Sequence, residues 1–141
     1  MNILYSNIIG SGENHLIILH GFLGMGDNWK THAKNFAEKG YCVHLLDQRN
    51  HGRSFWNDVF DYPALVEDLL VYLDYHKLDQ VILLGHSMGG KVAMGFALEN
   101  ADRVQKLIVA DITSKYYPSN HQQILAGLST LNFENITSRR D

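Results

Sequence analysis

Short, near-continuous apolar runs alternate along this chain with longer segments whose apolar residues recur at helical spacing. His15-Leu16-Ile17-Ile18-Leu19, Tyr41-Cys42-Val43-His44-Leu45-Leu46, Gln80-Val81-Ile82-Leu83-Leu84 and Lys106-Leu107-Ile108-Val109-Ala110 read as strands. Their apolar residues are consecutive rather than alternating, which fits strands covered on both faces. Residues 3–9 are an expected edge strand. Between these runs, Trp29, Ala33, Phe36 and Ala37 fall on one face of an expected helix over 29–39. Asp27 or Asn28 would cap it and Gly40 would stop it. Asp61-Tyr62-Pro63 opens a second helix with a broad face of Leu65, Val66, Leu69, Leu70, Tyr72 and Leu73. Residues 88–100 form a third. Strand-helix-strand alternation predicts an α/β fold with a mostly parallel sheet and helices on both faces. After Asp111 the pattern weakens, and only residues 121–131 suggest a further short helix.

Composition narrows the class. The chain has 141 residues, 45% hydrophobic and 19% charged, with a formal charge of −3. That is enough for one buried core and too acidic, with no basic stripe, for a nucleic-acid binder. A single cysteine, Cys42, excludes an internal disulfide and a Cys-rich zinc site. Its strand context makes it a buried small hydrophobe. No apolar run approaches the roughly 18 residues of a membrane span, and the N-terminus lacks signal-peptide features. The expected location is cytoplasmic, which leaves the Asn135-Ile136-Thr137 sequon without a role.

The chemistry concentrates at Gly85-His86-Ser87-Met88-Gly89, a G-x-S-x-G segment between an apolar strand and a helix. A sharp strand-to-helix turn there lifts the Ser87 hydroxyl clear of the sheet. Gly85 and Gly89 let neighbouring backbone approach closely. The helix behind Ser87 aims its N-terminal N–H groups at a reacting centre. The same residues nearly spell a phosphate-binding loop, G-x-x-x-x-G-K-[ST], but Val92 lacks the hydroxyl that would hold Mg²⁺. Lys91 then reads as a helix-surface residue.

Two loops add to this. His20-Gly21-Phe22-Leu23-Gly24 follows a strand directly. An acyl-transfer intermediate needs two backbone N–H donors, and Phe22 and Met88 are the candidates. His20 reads as a loop-fixing residue rather than a base. The second loop, Asp47 to Ser54, is polar. Asp47 and Arg49 form an expected ion pair, and His51 is disfavoured as a base.

Together the three segments resemble the α/β-hydrolase superfamily, over residues 15 to about 117. His20 to Gly24 is similar to its oxyanion loop, Asp47 to Ser54 to its D-x-R-G-x-G-x-S loop, and Gly85 to Gly89 to its nucleophile elbow. Asn50 and His51 replace the usual G-x, a variant that looks most like small serine esterases and thioesterases. The resemblance implies that the Ser87 strand lies between the strands preceding His20 and Asp111. It also implies hydrolysis of a small-molecule carboxylic ester or thioester through an acyl-enzyme on Ser87, with no organic cofactor or metal. Asp111 would be the triad acid; the plainer reading is a cap or a partner for Lys115. Residues 1–111 would form the N-terminal part of the core and 112–141 the start of a cap.

The family order is nucleophile, acid, then histidine. Of eight histidines only His121 follows Asp111, and it lies in the expected cap. The resemblance therefore implies a base beyond Asp141, an N-terminal portion of a longer esterase, and near-inactivity of the 141-residue piece alone. Other readings are a C–C bond hydrolase or cofactor-free haloperoxidase of the same fold, and a catalytically dead scaffold. Acyl specificity and oligomeric state stay open.

Overall fold

The computed structural model describes residues 2–110. Asp111, the expected cap at 112–141, the expected helix at 121–131 and His121 lie outside the described residues. In chain order the elements are β1 (Ser6–Ile9), β2 (Asn14–Leu19), a 3₁₀ turn (Gly26–Trp29), α1 (Lys30–Glu38), β3 (Tyr41–Leu46), α2 (Tyr62–Tyr75), β4 (Val81–His86), α3 (Met88–Glu99), a second 3₁₀ turn (Ala101–Arg103) and β5 (Val104–Ala110). The five strands form one sheet in the order β1-β3-β2-β4-β5. β2, β3, β4 and β5 run parallel, and β1 pairs antiparallel with β3. The Ser87 strand, β4, thus lies between β2 and β5, as expected.

The consecutive apolar residues of β2 explain the layering. Ile17 and Leu19 face one side and pack with Leu69, Tyr72 and Leu73 of α2 and Val92 and Phe96 of α3. Leu16 and Ile18 face the other side, with Ala33 of α1, Val43 and Leu84, and with Trp29 and Phe36 against them. Each such side chain, when fully buried, stabilises the fold by roughly 1.5–3 kcal/mol.

Helix boundaries follow local chemistry. The Asp61 carboxylate accepts from the Ala64 N–H (2.9 Å) at the start of α2, and Pro63 sits in its first turn. Asn28 accepts the Met25 N–H (2.9 Å), steadying the 3₁₀ turn that replaces the expected first helical residue, Trp29. Gly40 takes φ +97° after α1. β5 begins at Val104, two residues before the apolar run.

Cys42 is buried, as expected for its strand. Beside it His44 is a core histidine, its Nδ1 2.8 Å from the Tyr72 hydroxyl. Burial first, then His15 and His76, push its pKa down to about 4. Among the described residues no helix is long and apolar enough to cross a membrane.

Candidate active site

β4 and α3 meet at Ser87, whose φ of +53° and ψ of −112° are rare for any residue but glycine. The strained turn is held from both sides. The Ser87 N–H donates to the Ala110 carbonyl (3.2 Å), and its carbonyl accepts from the Lys91 N–H (3.2 Å). A Cβ at Gly85 would fall on the Gly89 carbonyl, and one at Gly89 on the Leu19 carbonyl. Those two positions therefore admit only glycine, and α3 can start close against β2. Met88 opens α3, so its N–H belongs to the first-turn donors that have no intrahelical acceptor.

The loop after β2 is built around His20, which is buried. Its Nδ1 lies 2.8 Å from the Gly21 carbonyl, and its Nε2 accepts the Gln48 N–H (3.0 Å). The Gln48 amide returns a bond to the His20 carbonyl (2.7 Å). Both ring nitrogens are thus engaged in fixing the loop. Burial lowers the His20 pKa, opposed by the Gly21 carbonyl and helped by His51. Gly21 passes close to the His86 ring, which in turn packs on Trp29 with centroids 5.6 Å apart. Phe22 then projects outward, with its ring against His51 and Phe60.

The Asp47–Ser54 loop is a scaffold for the loop bearing Phe22. Asp47 accepts from Gly26 N–H (2.7 Å) and Arg53 N–H (3.0 Å), and the Ser54 hydroxyl donates to its carbonyl. The expected Asp47–Arg49 pair does not form. Backbone donors occupy the Asp47 carboxylate, and Arg49 reaches α2 instead, donating to both oxygens of Asp68 at 2.6 and 2.8 Å. That fork raises the Arg49 pKa. Asn50 takes φ +65°, a left-handed conformation that asparagine tolerates, which accounts for it in place of a glycine. His51 is buried between the loops. Its Nδ1 is 2.9 Å from the Arg49 carbonyl, and its Nε2 accepts the Leu23 N–H at 3.0 Å.

Ser87, Met88 and Phe22 line one cavity of about 270 Å³, with Phe60, Tyr62 and Leu65 forming apolar wall and Asp61 and Lys91 its polar part. Lys91 corrects the sequence reading. It is buried rather than on the helix surface, with Nζ 6.0 Å from the Tyr62 ring centre, and burial lowers its pKa. Four residues separate it from Ser87, one helical turn, so the spacing was available as a signal. Asp68, Phe60 and Tyr62 had none, because they arrive from α2 and the segment before it. The structure brings Ser87, Met88 and Phe22 together at the carboxyl ends of β2 and β4, and His20, Gly21, Gly85, His86 and Gly89 around them. Asp111 lies outside the described residues. Among the described residues the one cluster able to ligate a metal, His15, Cys42 and His44, sits at the opposite end of the strands.

Comparison with known proteins agrees with this fold. A family model described as alpha/beta hydrolase fold matches residues 14–133. Esterase YbfF of Escherichia coli is 32% identical over 126 residues, covering 89% of this chain and 49% of that protein. The sn-1-specific diacylglycerol lipase ABHD11 of Danio rerio is 37% identical over 115 residues, covering 80% of this chain and 36% of that one. A solved marine microorganism esterase superposes with a TM-score of 0.78 at 38% identity, covering 99% of this chain and 56% of its own. The chain spans less than half the length of these two curated relatives.

Proposed function

The chain belongs to the alpha/beta hydrolase fold family, and on that premise we propose that the whole protein is a serine hydrolase of carboxylic esters or thioesters. The observation that carries this is the strained Ser87 at the head of α3, sharing one cavity with Met88 and Phe22. In the reaction, Ser87 Oγ attacks the acyl carbon and its proton passes to a histidine base. The N–H groups of Met88 and Phe22 receive the oxyanion, each donor worth about 2.7–4 kcal/mol in the transition state. The alcohol or thiol leaves with that proton. Water then adds to the acyl-enzyme, giving the carboxylic acid and restoring Ser87.

His20 and His51 have both ring nitrogens committed to loop contacts. By the family order of nucleophile, acid and histidine, the base is assigned to a histidine following Asp111, with Asp111 as the acid that orients it. Residues 1–111 serve as the N-terminal part of the core and 112–141 as the beginning of the cap. The mainly apolar walls from Phe22, Phe60 and Leu65 suit an acyl chain. The named esterase and lipase relatives support this substrate class.

The test is labelling of the folded full-length protein with a fluorophosphonate, alongside hydrolysis of a p-nitrophenyl ester. Stoichiometric labelling lost in Ser87→Ala, with turnover falling by about 10⁶-fold, is expected. A folded protein that neither labels nor hydrolyses esters would make the chain a scaffold and overturn the proposal.

A further inference from the structure

β2 and β3 pair in parallel with His15 opposite Cys42 and Ile17 opposite His44. Side chains alternate across a strand, so Cys42 and His44 share one face, and the register brings His15 to the same face. The result is a cluster that no stretch of sequence spells. His15 Nδ1 lies 2.9 Å from His44 Nε2, and Cys42 Sγ lies 3.8 Å from that same Nε2. All three ligand atoms fall within 4.8 Å of one another.

We propose that His15 Nδ1, Cys42 Sγ and His44 Nε2 form a zinc-binding site, separate from the Ser87 site. By strand register the two are four to six residues apart along the sheet, roughly 13–20 Å. The donor set matches the metal. One thiolate and two imidazoles are borderline-soft ligands, the kind Zn²⁺ takes. With Zn–N near 2.0–2.1 Å and Zn–S near 2.3 Å, a tetrahedral ion holds its ligand atoms about 3.3–3.6 Å apart. The present spacings of 2.9 and 3.8 Å bracket that range, so small rotations of the half-buried His15 ring and of the Cys42 side chain bring the three atoms into it. The fourth position goes to water, reached from the exposed side of His15.

The surroundings favour ligation. Tyr72, on α2, holds His44 Nδ1 at 2.8 Å, which leaves Nε2 directed at the other two groups. Tyr72 is itself fully buried, with the His76 ring 4.2 Å from its own by centroids. The second nitrogen of a ligating histidine is ordinarily anchored in this way. The balance is simple. His15 moves its ring proton from Nδ1 to Nε2, where water takes the hydrogen bond, and Cys42 gives up its thiol proton. One proton leaves per Zn²⁺ bound. The ion would tie β2 to β3 under the end of α2.

The experiment uses the metal-free full-length protein, ZnSO₄ for calorimetric titration and CoCl₂ as a spectroscopic probe. One Zn²⁺ per chain, one proton released, and a thiolate-to-cobalt charge-transfer band are expected. Cys42→Ser should abolish that band. His15→Asn should weaken Zn²⁺ binding by at least about 100-fold, and Tyr72→Phe by about 10-fold. His32→Gln, away from the cluster, should change neither. Unfolding midpoints measured without metal separate lost binding from a lost fold. Failure to bind Zn²⁺ stoichiometrically, absence of the charge-transfer band, or binding that survives both Cys42→Ser and His15→Asn would overturn the site.

Discussion

The Nε2 of His51 accepts a hydrogen bond from the backbone N–H of Leu23 at 3.0 Å, joining two loops that are 28 residues apart in sequence. Leu23 follows Phe22, the residue proposed to donate to the oxyanion. The histidine therefore acts on the donor's position without touching substrate. His51→Ala in the full-length protein should lower kcat roughly 10- to 100-fold, since small misplacements of a positioned group cost that much. KM should stay within a few-fold. His51→Gln, whose amide oxygen can accept the same bond, should recover part of the loss. Unchanged kcat in His51→Ala would remove His51 from any positioning role.

The backbone of Ser87 stores strain that a glycine would release. At φ +53° a Cβ costs about 1 kcal/mol or more, and only the surrounding contacts hold it there. Ser87→Gly should raise stability against urea by about 1 kcal/mol, whereas Ser87→Ala, which keeps the Cβ, should not. Equal stabilities of the two variants would mean the turn is unstrained.

Gly89 sits where α3 begins against β2, and a Cβ there would land on the Leu19 carbonyl. That partner is backbone in a central strand and cannot swing aside. Gly89→Ala should destabilise the fold by about 3 kcal/mol or prevent folding. A denaturant midpoint within error of the parent would contradict the close approach.

Arg49 and Asp68 form an ion pair whose side chains are only 11% and 9% exposed. Removing one charge strands the other. Asp68→Asn should cost about 3 kcal/mol, and the double change Arg49→Met with Asp68→Leu should recover most of it, because the pair must first be desolvated. A double variant no more stable than Asp68→Asn would show that the pair is a net source of stability.

Burial lowers the His20 pKa below its ordinary 6.5. The unfolded chain then takes up a proton that the folded chain refuses. This contribution is fully present above about pH 6.5 and is lost as pH falls toward the folded-state pKa. Stability measured by urea unfolding should decline between pH 7 and 5, and His20→Gln should make that slope shallower. His51, Asp47 and His86 are the titratable groups acting on it, and Asp47 opposes the shift. An unaltered slope in the variant would mean that His20 protonates as readily folded as unfolded.

Local sequence alone determined the elements and the sharp turn at Ser87. The consecutive apolar runs gave strands to within two residues, because a strand buried on both faces needs apolar side chains at every position. Asp61, Pro63 and Gly40 marked helix ends because capping depends on the residue itself. Gly85, Ser87 and Gly89 were legible for the same reason: their demands are steric and local. Tertiary structure decided everything that depends on partners. Asp47 and Arg49 lie two residues apart, yet backbone donors take one and Asp68 on α2 takes the other. Lys91 looked like a surface residue, yet it is buried and lines a cavity together with Tyr62 and Leu65 of α2. His51 became a clamp, and His15, Cys42 and His44 became neighbours, only when the loops and strands paired. Contacts between distant residues are set by packing and register, which a hydrophobic pattern encodes as faces and not as pairs.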